Sequence, residues 1–405
     1  MKLFKSLLVA PAALGLMTPL AVGASEVNLN DISAYSDVDS IEFANSFNKD
    51  VANDNQLIAG GEGLVSDSSF DGGFSETTTA SFSVDMYIGA VDDEDPLVAD
   101  ANNDTDDTIT AGYSFQIDLN TSFTGEDSLD ISLDAGNAGS AGIAEFDGNS
   151  GGDALVVDGV SYTFPLGDST TFMVGDNTDG SALFTTACAY GGPSNTLDDC
   201  GNVNAGITNG GVMFGAAYDF GNGTTFAIGY AGDETTVGTD EGGDDYAVNL
   251  AYIGDNYGVS ATYAIVDSDD GAATPVLDDF EDTFLAFNGY YTPDVAGFPS
   301  ISVGFEFGED GSTDADNVQA AGDDSLTSYF LGLTWDEVGP GSAGVAMGTK
   351  TPTVESTNEQ WMYEAYYSYP INDGMTITPL VFMKETSTEG LDDEKGLMVK
   401  TSFSF

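Results

Sequence analysis

Histidine and arginine are absent from this chain of 405 residues, and seven lysines stand against 68 Asp and Glu, for a formal net charge of -61. Each absence removes a class of chemistry. Without His there is no Ser-His-Asp or Cys-His catalysis and no imidazole-ligated metal. Without Arg no guanidinium fork can grip a phosphate or carboxylate. A nucleic-acid binder needs basic groups to replace phosphate counterions, and this chain would repel the polyanion. Proline is scarce, 12 residues against 51 Gly, which points to turns and strands rather than a Pro-rich low-complexity chain. Beyond the first two dozen residues no apolar run reaches the ~18 residues of a transmembrane helix. Carboxylate chemistry, hard-cation binding or no chemistry at all remain open. Acidic pairs occur throughout, so none marks a glycosidase-type pair; no catalytic residue is assigned and no enzyme is expected.

What is present argues against disorder: 41% of residues are hydrophobic, with 25 Phe and 18 Tyr, whereas disordered chains are poor in aromatics. Residues 1–24 carry Lys2 and Lys5, an apolar stretch from Leu7 to about Leu20, and the small-residue site Val22-Gly23-Ala24. This is the pattern of a secretory signal peptide; Pro11 and Pro19 disfavour the alternative, a retained anchor helix. In an exported chain Cys188 and Cys200 are expected to form a disulfide closing a short loop. The alternative is two free thiols.

From about Ser75 onward apolar residues recur at every second position, as in Ala111-Tyr113-Phe115-Ile117-Leu119 and Trp361-Tyr363-Ala365-Tyr367-Tyr369. Such alternation gives a strand one apolar and one polar face. Sixteen strands are expected: 75–89, 108–120, 127–136, 154–165, 170–176, 211–220, 222–231, 245–253, 256–266, 281–291, 300–308, 325–336, 341–350, 360–370, 374–385 and 395–405. Asp158-Gly159 in the fourth could be a turn, and Pro379 in the fifteenth lacks a ladder donor. Long polar stretches follow the odd strands and short ones follow the even strands. A sandwich has no reason to sort its connections in this way. An all-β fold, a transmembrane up-and-down antiparallel barrel of about sixteen strands, does. The division expected is a signal peptide at 1–24, an acidic periplasmic tail or plug at 25–74 and the barrel at 75–405.

The leader MKLFKSLLVAPAALGL, the segment ACAYGGPSNTLDDCGN at 187–202 and the ending KTSFSF resemble cyanobacterial outer-membrane porins, commonly grouped with the carbohydrate-selective porins. Glu26-Val27-Asn28-Leu29 resembles that family's mature start, but 25–74 lacks the S-layer-homology domain many members carry. The resemblance implies an outer-membrane location, passage of small hydrophilic solutes and inorganic ions, a homotrimer, and an assembly signal at Phe403 and Phe405 read by the outer-membrane assembly machinery. It also implies that the third outer loop, 177–210, folds inward and narrows the pore. Asp176, Asp179, Asp198 and Asp199 are then the constriction candidates; an ordinary surface loop with solvated charges is the alternative.

Strand phase puts Asp85, Gln116, Asp118, Asn249, Glu306, Lys350, Lys384 and Lys400 on the lumen side. The lysines either form a stripe facing acidic groups or pair with near neighbours, as Lys384 with Glu385. A pore lined by acids and no Arg should prefer cations. No cofactor or dedicated metal site is expected. Acid-rich outer loops such as Asp92-Asp93-Glu94-Asp95 could bind Ca²⁺ or Mg²⁺ weakly. The competing reading is an acidic structural or interaction protein of the outer surface with cation-binding loops.

Overall fold

The computed structural model describes residues 78–92, 108–208, 211–239, 243–268, 280–309, 325–349, 353–354, 359–386 and 393–405. The leader 1–24, the segment 25–74, Lys350 and the acid-rich stretches 93–107, 269–279 and 310–324 lie outside the described residues.

The strands in chain order are β1 (Thr78–Asp92), β2 (Thr110–Thr121), β3 (Ser128–Gly136), β4 (Val156–Leu166), β5 (Thr170–Asp176), β6 (Val212–Asp219), β7 (Thr224–Gly232), β8 (Asp244–Ile253), β9 (Tyr257–Ser268), β10 (Phe280–Tyr291), β11 (Ser300–Glu309), β12 (Ser325–Val338), β13 (Gly341–Thr349), β14 (Thr353–Val354), β15 (Trp361–Asn372), β16 (Met375–Lys384) and β17 (Glu394–Ser404). Each long strand pairs antiparallel with its chain neighbours, and β1 pairs with β17, so the sheet closes into a barrel without free edges. β14 is a two-residue patch on Leu326–Thr327; the other sixteen are the expected strands, with ends shifted by at most three residues.

Both doubtful strands hold. At Asp158-Gly159 the β3–β4 register steps from Ser132↔Gly159 to Leu133↔Val157, which leaves Asp158 as a bulge rather than a turn. At Pro379 the ladder to β15 lapses between Tyr366↔Leu380 and Tyr369↔Ile377, while the pairing with β17 runs on through Pro379↔Val399.

The alternating apolar residues face outward. Ile88, Phe214, Ile228, Val248, Val259, Val303 and Val381 are all exposed on one face of the sheet. Phe220, Tyr257, Tyr291 and Tyr369 gather at the end of the barrel that carries the short turns, an aromatic girdle of the kind found at a membrane interface. This is a transmembrane β-barrel. Among the described residues no helix is long and apolar enough to cross a membrane.

One short turn is held by a carboxylate. Asp127 accepts from Ser122 Oγ (2.8 Å), Phe123 N (2.9 Å), Thr124 N (2.8 Å) and Tyr162 Oη (2.6 Å). The Tyr162 bond first, then those from Thr124 and Ser122, hold its carboxyl well below the usual range, against the opposing pull of desolvation. A depressed folded value means that its contribution is present above the unfolded carboxylate's ~3.9 and is lost as pH falls through the folded value. Asp127→Ala should lower the temperature at which the folded gel band disappears by several degrees, whereas Glu126→Gln should leave it unchanged.

Candidate functional site

Two outer connections fold back into the barrel. The longer, 177–211 between β5 and β6, is bonded to side chains on seven different strands. Thr185 N donates to Asn249 Oδ1 (3.1 Å), Ala187 N to Ser260 Oγ (2.9 Å) and Ala189 N to Ser302 Oγ (2.9 Å). Asn204 N and Ala205 N donate to Glu306 Oε2 at 3.0 and 2.9 Å. Asn288 Nδ2 and Ser328 Oγ donate to the carbonyls of Cys200 and Gly201, and Tyr190 Oη donates to Glu364. All these strand residues lie on the face opposite the exposed apolar one. A single loop can reach β8 through β12 and β15 together only from the concave side of a closed sheet. Glycine permits the closest approach: a Cβ on Gly304 would collide with the carbonyl of Cys200. The bonded pair Cys188–Cys200 staples this segment, limiting the entropy it would otherwise gain by detaching.

The second connection, between β3 and β4, carries a 3₁₀ turn, Ala141–Phe146. Its Ile143 is fully buried, in one apolar cluster with Tyr87, Tyr190, Phe330, Met362, Leu380, Phe382 and Met398. Glu145 forms an ion pair with Lys384, and its carbonyl accepts from Asn195 N at 2.9 Å, so the two loops also hold each other. The lysine partner is therefore this distant glutamate and not Glu385, whose carboxylate instead accepts from Trp361 N at 3.4 Å.

The expected site residues that the structure describes fall into four groups. Asn249, Glu306 and Lys384 are on the inner face but covered, so they anchor loops rather than touch open water. Asp85, Gln116, Asp118 and Lys400 are on the inner face and only partly buried. Asp118 accepts from Gln116 Nε2 (2.9 Å) and Ser132 Oγ (2.8 Å). Asp176 departs from expectation. It ends β5 in the same phase as the outward Val174, so its side chain points away from the lumen.

Asp179, Asp198 and Asp199 lie on the inward-folded segment, all with solvent contact. Enclosure by the barrel wall nonetheless desolvates them. Asp198 is pushed up to about 7 by desolvation first, then by the charges of Asp199 and Asp147. Asp199 is pushed up to about 6 by desolvation and then by Asp179. Asp179 is raised by desolvation and then by Asp158. Asp199 thus acts on Asp198, and Asp179 on Asp199, as neighbouring charges.

Beside them two cavities open on the inner wall, each of about 370 Å³. One is acidic, with Asp85, Asp134, Asp147 and Asp158 around Gln116 and Asn149. The other is lined by hydroxyls and Lys400, with no carboxylate among its lining residues. At the C-terminal strand, Phe405 stacks on Phe82 at 5.8 Å, and Phe403 lies in register with Val84.

The closed ring of sixteen long antiparallel strands defines the class of fold: a sixteen-stranded barrel of the porin type. The comparisons agree at the level of fold. Pseudomonas putida OprB, in a structure at high pH, superposes with a TM-score of 0.56 at 10% identity over 81% of this chain and 94% of that one. A loop-deletion variant of OmpT, an outer membrane protein of Vibrio cholerae, gives 0.53 at 12% identity over 81% and 99%. An engineered variant of the Rh. blastica porin gives 0.51 at 11% identity over 81% and 100%. No protein-family model matches the chain. No curated protein matches it in sequence.

Proposed function

We propose that this protein is an outer-membrane porin through which small hydrophilic solutes and inorganic ions diffuse passively, with a preference for cations. The observation that carries the reading is the set of water-accessible carboxylates, Asp179, Asp198 and Asp199, held inside a closed barrel by a loop bonded to the inner wall. An apolar exterior suits lipid, and the enclosed carboxylates supply a negative potential where the path is narrowed. Outer-membrane lipid surrounds the barrel, the assembly machinery inserts it through the strand ending in Phe403 and Phe405, and three copies associate, as the porin fold suggests. In the proposed role Ca²⁺ or Mg²⁺ at the outer loops is incidental, and no cofactor takes part.

Liposome swelling tests the passage of solutes. Vesicles carrying the purified protein should swell in isosmotic amino acids and small sugars at rates that fall steeply with solute size. Swelling no faster than in protein-free vesicles, for every solute, would refute the proposal.

A further inference from the structure

We propose that Lys400, with the hydroxyls of Ser342, Ser368, Thr376, Thr378 and Ser402, forms an oxyanion subsite on the pore wall, taking a small tetrahedral anion such as inorganic phosphate. The inference rests on the reading of the lumen as a permeation path. Its first support is the cavity itself, bounded by the inner faces of β13, β15, β16 and β17 and closed on one side by Gly191–Pro193 of the third loop.

The second support is charge. Carboxylates outnumber lysines almost tenfold in this chain, and Lys384 has one at contact distance. Lys400 forms no ion pair among the described residues. Its ammonium sits 5.7 Å from the Phe146 ring, a contact that compensates only part of the lost hydration. A partly buried ammonium without a protein counter-charge is most favourable with a bound anion.

The third support is the donor set. Thr378 Oγ1 donates to Ser368 Oγ at 3.3 Å, which leaves the Ser368 proton free to point into the cavity. Several hydroxyls lining one cavity with an ammonium suit the oxygens of a tetrahedral anion better than a planar carboxylate, which favours an Arg fork. Segregation sharpens the assignment. Across the β17–β1 seam Lys400 pairs with Tyr87 and Ser402 with Asp85, and from there the wall becomes acidic. Cations and oxyanions thus meet different walls of one lumen.

Equilibrium dialysis of the detergent-purified full barrel with radiolabelled inorganic phosphate at pH 8 tests the subsite without requiring conduction. Saturable binding is expected, displaced by sulfate and far less by acetate. Lys400→Gln should weaken it at least about tenfold, as expected for one charge-assisted hydrogen bond, while Lys400→Arg retains most of it. Thr376→Val with Ser402→Ala keeps the charge and should weaken binding several-fold; it carries the test if Lys400→Gln does not fold. In bilayers, phosphate should reduce the KCl current of the unmodified protein and have little effect on Lys400→Gln. No saturable binding, or binding in Lys400→Gln and in the double hydroxyl variant equal to that of the unmodified protein, overturns the subsite. A KCl current with no phosphate binding would sink the subsite and leave the pore standing; phosphate binding without any KCl current would do the reverse.

Discussion

Neutralising Asp198 and Asp199 together, as Asp198→Asn/Asp199→Asn, is expected to flatten the pH dependence of ion selectivity between pH 8 and pH 5. In the unmodified protein Asp198 titrates at about 7 and Asp199 at about 6, both raised first by desolvation. A raised carboxylate is charged above its value and neutral below it. Both are therefore anionic at pH 8, and selectivity for K⁺ over Cl⁻ should fall as pH drops through 7 and then 6. Ordinary carboxylates near 4 would hold the selectivity constant over that range. A unit charge about 6 Å from a passing ion in water is worth about 0.7 kcal/mol, or about threefold in local cation concentration. The double variant at pH 8 should thus lose at least about threefold in the K⁺/Cl⁻ permeability ratio. Recordings belong at 0.1 M salt, where the screening length of ~10 Å still spans the distance. A ratio unchanged by the double substitution, with the same slope against pH, would remove these residues from the constriction.

Releasing the third loop should instead widen the pore. Glu306 accepts Asn204 N, Asn204 Nδ2 and Ala205 N, at distances from 2.9 to 3.2 Å. Glu306→Ala removes every one of these acceptors and leaves the buried Ala205 amide unsatisfied, at a cost of about 1–3 kcal/mol for each such group. Because the loop is bonded along the inner wall, its loosening should raise single-channel conductance about twofold and add current noise, as ordered backbone exchanges its wall bonds for water. Glu306→Asp shortens the reach and should give an intermediate value. Conductance equal to that of the unmodified protein in both variants would mean that the loop does not narrow the path.

Most of the barrel was legible because lipid imposes a period-two rule on every strand. Phe214, Ile228, Val248 and Val303 occupy alternate positions with small or polar residues between them, and each faces outward. Loop lengths then sorted the two ends. The inner wall was less legible, since a water-filled lumen predicts polar residues there. Phe330, Met362, Leu380, Phe382 and Met398 are inward and buried because loops cover them. Their trace is present in runs apolar on both faces, such as Leu380-Val381-Phe382-Met383 and Leu397-Met398-Val399, a pattern of walls packed on both sides. Ala141-Gly-Ile-Ala-Glu-Phe146, an apolar island in a polar connection, carries the same trace for the second loop, which the strand pattern alone did not reveal.

Residue roles within the lumen needed the third dimension. Glu306 and Asn249 share the phase of Asp85, yet only Asp85 stays at a cavity, because coverage by a distant segment is not written in local periodicity. Asp176 shows the converse error. Proximity to the third loop suggested a constriction, but its parity with Val174 turns it outward. Glu145, Tyr190 and Glu364 leave no local trace because each finds its partner far away in sequence: Lys384 for Glu145, and Tyr190 with Glu364.

The zero-current potential of single channels in a planar bilayer, across a tenfold KCl gradient at pH 8, tests the account most directly. An open, water-filled barrel with an acidic constriction predicts steady conductance and a potential of cation-selective sign that shrinks toward zero at pH 5. Absence of channels at any voltage, or a potential of anion-selective sign at pH 8, would contradict it.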